Sequence, residues 1–322
     1  MSNAITAERA VLEDFANAVI AGLSKAEREI PARFLYDRAG SDLFEQITNL
    51  PEYYPTRTEI SLIQRHAAAI GEEVGRGRTV VEFGSGSSAK TPPFLSAVGA
   101  PRYVPIDISA HFLETAAKHM RAAMPDLDVL PLPGDFTQPL ALPQAARNDR
   151  KLGFFPGSTI GNMSTRESVD LLRAIRATLG DSAPLIIGID LKKEVEMLEA
   201  AYDDSRGVTA EFITGILRRM QEDLGAGVEI DDWAYDSFWN PELGRVEMHV
   251  KARRDTAIDM PGHHWQFSAG EHIHVSNSHK YSLEESAILA RAAGYLRKDA
   301  WTDDEGIYSL QLWQPMDDDL SW

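Results

Sequence analysis

The chain predicts an α/β fold on an open, mostly parallel sheet, and three observations carry that expectation. Short apolar runs alternate with amphipathic stretches from residue 78 to residue 190, several of those runs end in an acid, and the first breaks into Gly84-Ser85-Gly86. Alternating strand and helix imply crossover connections, and crossovers build parallel sheets. The expected order is strand 78–83, helix 88–97, strand 102–106, helix 109–123, strands 128–131 and 151–155, helix 165–179 and strand 184–190.

Upstream, Val11, Leu12, Phe15, Val19, Ile20 and Leu23 recur at helical spacing, which predicts a helix over 7–24. The stretch Pro31 to Tyr54 is dense in aromatics (Phe34, Tyr36, Phe44, Tyr53, Tyr54), and its Asn49–Pro55 portion, punctuated by prolines, should be an ordered extended loop. Residues 57–74 read as a helix. Beyond Lys193 the rhythm changes. Helices at about 194–202 and 208–224 precede runs 228–238, 244–252 and 263–276, which alternate like antiparallel strands. Helix 283–293 and strands 296–300 and 306–313 then return to the first sheet as an antiparallel end. The domains follow: 5–193 plus 282–322 form the sheet domain, and 194–281 an inserted α+β domain.

Composition narrows the class. At 322 residues the chain can bury a sizeable core. It has no apolar run of the roughly 18 residues that a membrane span needs. The N-terminus lacks the basic flank and apolar stretch of a secretory signal. Cysteine is absent, which removes disulfides, thiolate nucleophiles and iron–sulfur chemistry. A cytoplasmic enzyme is expected. The net charge of −17 repels polyanions, so neither nucleic acid nor a membrane is an expected partner, and a small substrate is.

The glycine turn gives the chemistry. Two close glycines after a strand let backbone N–H groups approach a ligand with no Cβ in the way. Asp107 closes the next apolar run, 23 residues after Gly84, where an acid accepts hydrogen bonds from ribose hydroxyls. A P-loop is excluded by the spacing. Ala89, three residues after the second glycine, satisfies the looser dinucleotide pattern, so a nicotinamide cofactor stays open. Glu82, just before the turn, suits a ligand with little negative charge, such as the sulfonium of S-adenosylmethionine. Gly134-Asp135-Phe136 offers a carboxylate and a ring for adenine. Asn162, in the loop from Phe155 to Met163, carries an amide that can serve a carboxylate or an amine.

At these residues the chain resembles a known family. Phe34-Leu-Tyr-Asp37, Gly40-Ser-Asp-Leu-Phe44, Leu50-Pro-Glu-Tyr-Tyr-Pro-Thr-Arg-Thr-Glu59, Glu82-Phe-Gly-Ser-Gly86, Gly157-Ser-Thr-Ile-Gly-Asn162 and Trp301-Thr-Asp-Asp-Glu305 are similar to runs of the histidine-specific Nα-methyltransferases of ergothioneine biosynthesis. The resemblance covers nearly the whole chain. It implies a Rossmann-like class I S-adenosylmethionine-dependent methyltransferase fold with an inserted substrate-binding domain acting as a lid. It also implies transfer of three methyl groups to the α-amino group of histidine, giving hercynine and S-adenosylhomocysteine, with no metal. Carried over, it sets the donor against Gly84, Lys90, Asp107, Asp135 and Phe136. Asn162 and Tyr202 receive the amino-acid head group, and Phe44, Gly157 and Thr159 surround the reacting amine. Tyr36 becomes the catalytic candidate, orienting that amine and relaying its proton. Tyr53 and Met248 touch the substrate side chain.

One run departs from the family pattern. Where relatives carry a glutamate that grips the imidazole, this chain has Ser276, followed by Ser278 and Lys280 in their expected places. Residues 212–217, Phe-Ile-Thr-Gly-Ile-Leu, are also less polar than the family's asparagine-containing run. Another amino acid, such as tryptophan, therefore remains open as substrate, as does a catalytically silent protein that binds the same ligands. Five of the nine histidines (His263, His264, His272, His274, His279) fall within 17 residues, but no tight set of carboxylate or cysteine partners accompanies them. They are expected to be packed or exposed strand residues.

Overall fold

The computed structural model describes residues 2–86 and 91–316. Helices α1 (Ser2–Leu23), α2 (Arg38–Thr48) and α3 (Tyr54–Val74) precede β1 (Thr79–Phe83), α4 (Thr91–Val98), β2 (Arg102–Asp107) and α5 (Ala110–Ala123). The short strands β3 (Asp128–Val129) and β4 (Leu132–Pro133) lead to β5 (Lys151–Phe155), α6 (Thr165–Leu179) and β6 (Leu185–Asp190). Then come α7 (Val195–Tyr202), α8 (Val208–Leu224), β7 (Gly227–Val228), β8 (Trp233–Asn240), β9 (Arg245–Ala252), β10 (Thr256–Met260), β11 (His263–Phe267) and β12 (His272–His279). Helix α9 (Leu283–Ala292) and strands β13 (Tyr295–Thr302) and β14 (Tyr308–Pro315) close the described chain.

The chain divides into two units, Tyr54–Lys193 with His279–Trp322, and Met1–Tyr53 with Glu194–Ser278. The first holds a sheet of order β13-β14-β6-β5-β1-β2-β3, with β4 also paired to β2. Strands β6, β5, β1, β2 and β3 run parallel, whereas β13 and β14 are antiparallel, as the alternation predicted. From β1 the chain builds outward through β2 and β3, then returns to β5 on the other side of β1. That reversal is a topological switch point, and ligands bind outside the carboxyl ends of strands there.

The strands are apolar because both faces are covered. Every residue of β1 and β6 is buried. One face packs Phe83, Phe155, Ile187 and Trp313 with α6 and α9 residues such as Leu172 and Leu289. The other packs Phe94, Phe154, Tyr103 and Leu310 with Leu62 and Ile70 of α3. Helices α6 and α9 start at Ser164 and Ser282, each with a reciprocal bond to a glutamate three residues on, which satisfies backbone N–H groups left free at a helix start.

The second unit differs from the expectation in membership. Residues 1–53, expected to accompany the sheet domain, pack instead with residues 194–278. Phe15 of α1 meets Phe34 at 4.8 Å between ring centroids, and the Arg219 guanidinium of α8 lies 4.7 Å from the Phe15 ring. Arg219 also donates to the Phe34 carbonyl at 2.6 Å. The backbone of Arg28 to Ile30 pairs with His274, adding an edge segment beside β12. Two three-stranded antiparallel sheets, β12-β9-β8 and β11-β10-β7, complete this unit. The run read as one strand over 263–276 is two strands split by a turn, and β10 was not expected. Helix α2 was also not expected; Asp37 caps it by accepting from the Gly40 N–H at 2.7 Å.

Candidate active site

In the sheet unit, the strand ends expected to carry the site converge at the switch point. Gly84 and Gly86 follow β1 with φ of +72° and +50°, a backbone region that side chains disfavour. The Gly84 N–H donates to the Ile106 carbonyl at 2.9 Å, tying the turn to β2. A Cβ at Gly84 would lie 3.6 Å from the edge of the Phe136 ring, so the turn packs beside that ring. Phe136 is half-buried and meets Phe83 and Phe155 edge-on, at 6.4 and 6.0 Å.

Asp107, at the end of β2, accepts from the Gly86 N–H through one carboxylate oxygen and from the Ser109 N–H through the other, both at 3.0 Å. Two backbone donors fix the carboxylate's plane, and each oxygen retains a lone pair for a further donor. Its carbonyl accepts from Gly134 N–H at 3.0 Å, which brings the Asp135–Phe136 turn alongside. Asp135 is exposed, and one of its oxygens is taken up by Thr137, at 2.9 Å from the N–H and 2.7 Å from the hydroxyl. Lys90 lies outside the described residues, as does Ala89. Glu82 does not face the crevice as the sequence suggested. It is wholly buried and accepts from Thr91 Oγ1 and the Tyr103 hydroxyl, which locks α4 and β2 to β1.

The loop after β5 carries Gly157, Thr159 and Asn162. Gly157 and Ser158 both adopt positive φ, +82° and +52°, and a serine held there is unusual. Surrounding bonds enforce the shape. The Gly157 N–H donates to buried Glu59 at 2.8 Å, and the Tyr308 hydroxyl donates to the same oxygen at 2.8 Å. Ser158 Oγ accepts from the Asp190 N–H at 2.9 Å. At Gly161 a Cβ would fall 2.8 Å from the His279 carbonyl, so only glycine fits, and His279 Nδ1 lies 3.0 Å from the Gly161 carbonyl. Thr159 and Asn162 are half-buried on this fixed turn.

Behind the loop sits a charged cluster that the sequence reading did not single out. Asp190, 1% exposed, ends β6. It accepts from the Tyr54 hydroxyl at 2.9 and 2.8 Å, from Lys280 Nζ at 2.6 Å, and from Lys193 Nζ. Burial pushes the Asp190 carboxyl up, but the Lys280 and Lys193 ammonium groups outweigh it and hold the carboxyl below its ordinary range. Burial and the neighbouring Lys280 charge bring Lys193 down to about 8 despite Asp190. The signal was present: Leu185-Ile-Ile-Gly-Ile-Asp190 ends in an acid like the other site strands.

The second unit carries the remaining candidates in two groups. Tyr36, Phe44 and Phe212 form a trio with ring centroids 5.5 to 5.9 Å apart. Phe212 belongs to the run already noted as unusually apolar; its spacing with Ile216 and Met220 on α8 is what marks it. Tyr53 meets Tyr202 edge-on at 6.0 Å, and the Tyr202 hydroxyl lies 2.6 Å from Ser278 Oγ. Met248 and Ser276 are buried. On β12 the alternation of burial breaks at Val275–Ser276, both buried, and Ser276 and Ser278, two apart on one face, are both buried.

Residues 15–315 match the family of histidine-specific, S-adenosylmethionine-dependent methyltransferases. The chain belongs to that family. It is 35% identical over 322 residues to a histidine N-alpha-methyltransferase of Mycolicibacterium smegmatis, covering 97% of this chain and 98% of that one. A histidine N-alpha-methyltransferase of Mycobacterium tuberculosis is 34% identical over 91% of this chain and 92% of its own. A 4-dimethylallyltryptophan N-methyltransferase of Epichloe festucae var. lolii is 26% identical over 96% and 98%. The enzyme is thus an S-adenosylmethionine-dependent N-methyltransferase. The crevice fits that donor: Asp107 presents a fixed carboxylate with spare lone pairs, and the Gly84 turn brings backbone without a side chain beside the Phe136 ring.

The Lys193 environment predicts a measurable pH effect. Between about 8 and its ordinary 10.5, the folded enzyme binds fewer protons at Lys193 than the unfolded chain does. The cost of burying this ammonium is therefore full below pH 8 and lifts as the pH rises through that window. Urea unfolding midpoints at pH 7.5 and 10 should show wild type gaining relative to Lys193→Met at the higher pH. A gap that stays constant would mean that Lys193 titrates normally.

Proposed function

We propose that this enzyme methylates the α-amino group of free L-histidine, in three successive transfers, to give the trimethyl betaine used in ergothioneine biosynthesis. The observation that carries the reading is the match to the histidine-specific family across residues 15–315. The net charge of −17 disfavours a polyanionic substrate, and no helix among the described residues is long and apolar enough to cross a membrane. Both support a cytoplasmic enzyme of small-molecule metabolism.

When bound, the donor supplies an electrophilic methyl group on a sulfonium. In the proposed assignment Asp107 accepts the ribose hydroxyls, while Phe136 and Asp135 take the adenine, with Gly84 and Lys90 beside the donor. Asn162 and Tyr202 anchor the substrate carboxylate, and Gly157 and Thr159 border the amine. The amine must lose its proton before each transfer, since an ammonium has no lone pair. Tyr36 is the residue proposed to orient the amine and pass that proton on. The faces of Tyr36, Phe44 and Tyr53 favour the cationic product through cation–π attraction. The catalytic gain comes chiefly from positioning in a dry pocket. In the second unit Tyr53, Met248, Ser276 and Ser278 are assigned to the substrate side chain.

A second reading concerns the side chain. A carboxylate on an imidazole N–H is worth about 1.5–3 kcal/mol, and Ser276 supplies only a neutral hydroxyl. The weaker partner at Ser276 keeps an aromatic amino acid such as tryptophan open as a substrate.

Three measurements test these assignments. Incubation with donor and each of the twenty amino acids, followed by mass spectrometry, should give histidine products heavier by one, two and three methylene units; Ser276→Glu should raise the preference for histidine over tryptophan. A panel with no methylated amino acid would defeat the reading. Asp107→Ala should weaken S-adenosylhomocysteine binding about 10- to 100-fold by calorimetry, as expected for lost bonds to a charged group; unchanged binding would remove Asp107 from the donor site. Tyr36→Phe should slow methylation while leaving S-adenosylhomocysteine affinity intact, and an unaltered rate would deny Tyr36 its role.

A further inference from the structure

Three potential metal ligands, none of them assigned a role above, meet on the β12-β9-β8 sheet. Glu247 and His249 lie two apart on β9, so their side chains share one face, with Met248 turned to the other. His274 comes from the neighbouring strand β12. One carboxylate oxygen of Glu247 and one ring nitrogen from each histidine lie within 4.8 Å of one another. Glu247 Oε2 and His249 Nε2 are already 3.0 Å apart. Ligands about 3.3 Å apart are what a tetrahedral ion with bonds of about 2.0–2.1 Å requires, so only the half-exposed His274 side chain has to close in.

The surroundings suit an ion better than they suit a bare hydrogen-bond network. His249 is 8% exposed, and its Nδ1 is buried with no hydrogen-bond partner among the described residues. Asn277 Oδ1 sits 2.8 Å from His274 Nε2. With that oxygen accepting, Nε2 carries the proton and Nδ1 presents its lone pair, the outer-sphere arrangement that orients metal-binding histidines. The other Glu247 oxygen is steadied by Arg245 and Asn240, each 2.9 Å away, which keeps the carboxylate ionised and aimed. Phe238 stacks on His249 at 5.3 Å and fixes its ring plane. A fourth donor is near: the His272 ring lies 5.3 Å from that of His249.

We propose that Glu247, His249 and His274 bind one borderline divalent transition-metal ion, of the class of zinc, cobalt or nickel. Two imidazoles and a carboxylate are the donor set such ions select over magnesium or calcium. The site takes no part in methyl transfer. It ties β9 to β12, so its occupancy stiffens the two strands that also carry Met248, Ser276 and Ser278.

The full chain, stripped with chelator, is titrated with Co²⁺ while its visible d–d bands are recorded, and with Zn²⁺ by calorimetry. One equivalent should bind, with the intense bands of a four- or five-coordinate cobalt and a raised thermal midpoint. His274→Gln, at a half-exposed position, should weaken binding at least about tenfold, as should His249→Ala. His264→Ala removes an exposed histidine that pairs with Asp259 at 2.6 Å and should change nothing. No stoichiometric binding, or binding that survives His274→Gln and is lost in His264→Ala, overturns the proposal.

Discussion

Buried carboxylates hold the sheet unit's crevice in shape. Glu59, Glu82 and Asp190 are each 0–1% exposed, and each stands behind a segment that faces the carboxyl ends of the parallel strands. A carboxylate taken out of water survives only where donors surround it, and here the donors are the very groups whose positions matter. Glu59 takes the Gly157 N–H, Glu82 takes Thr91 and Tyr103, and Asp190 takes Tyr54, Lys193 and Lys280. The strain of two consecutive positive-φ residues, Gly157 and Ser158, is held in place by this bonding.

That construction suits methyl transfer. The reaction needs little acid–base chemistry beyond one proton from the amine, and it depends on holding two reactants at a fixed distance and angle. A loop clamped from behind by buried charge keeps Asn162 and Thr159 on a rigid turn, with the Thr159 hydroxyl itself donating to the Pro156 carbonyl at 3.2 Å. Asp107 works on the same plan: backbone donors set its plane, and its remaining lone pairs face outward.

The second unit is built on aromatic packing and shows where members of one family can diverge. Tyr36, Phe44 and Phe212 make an apolar trio, whereas Tyr202 and Ser278 pair through hydroxyls. Selectivity for one side chain rests on few atoms, and in the proposed assignment Ser276 offers an imidazole a neutral hydroxyl, a weaker partner than a carboxylate.

Strand and helix alternation, the Gly84–Gly86 turn and the acids at strand ends determined the sheet unit from the sequence alone. These are local signals: a strand buried on both faces must be apolar throughout, and a glycine turn must follow it if a ligand is to approach. Glu82 was misplaced by that reasoning, because a residue at a strand end can point along the sheet or into it, and only packing against Thr91 and Tyr103 decides. Asp190 needed partners from residues 54, 193 and 280, far apart in the chain. The allegiance of residues 1–53 and the meeting of Glu247 and His249 with His274 are likewise set by contacts between distant segments. Periodicity reports which face of an element is buried; what lies against that face is a property of the folded chain.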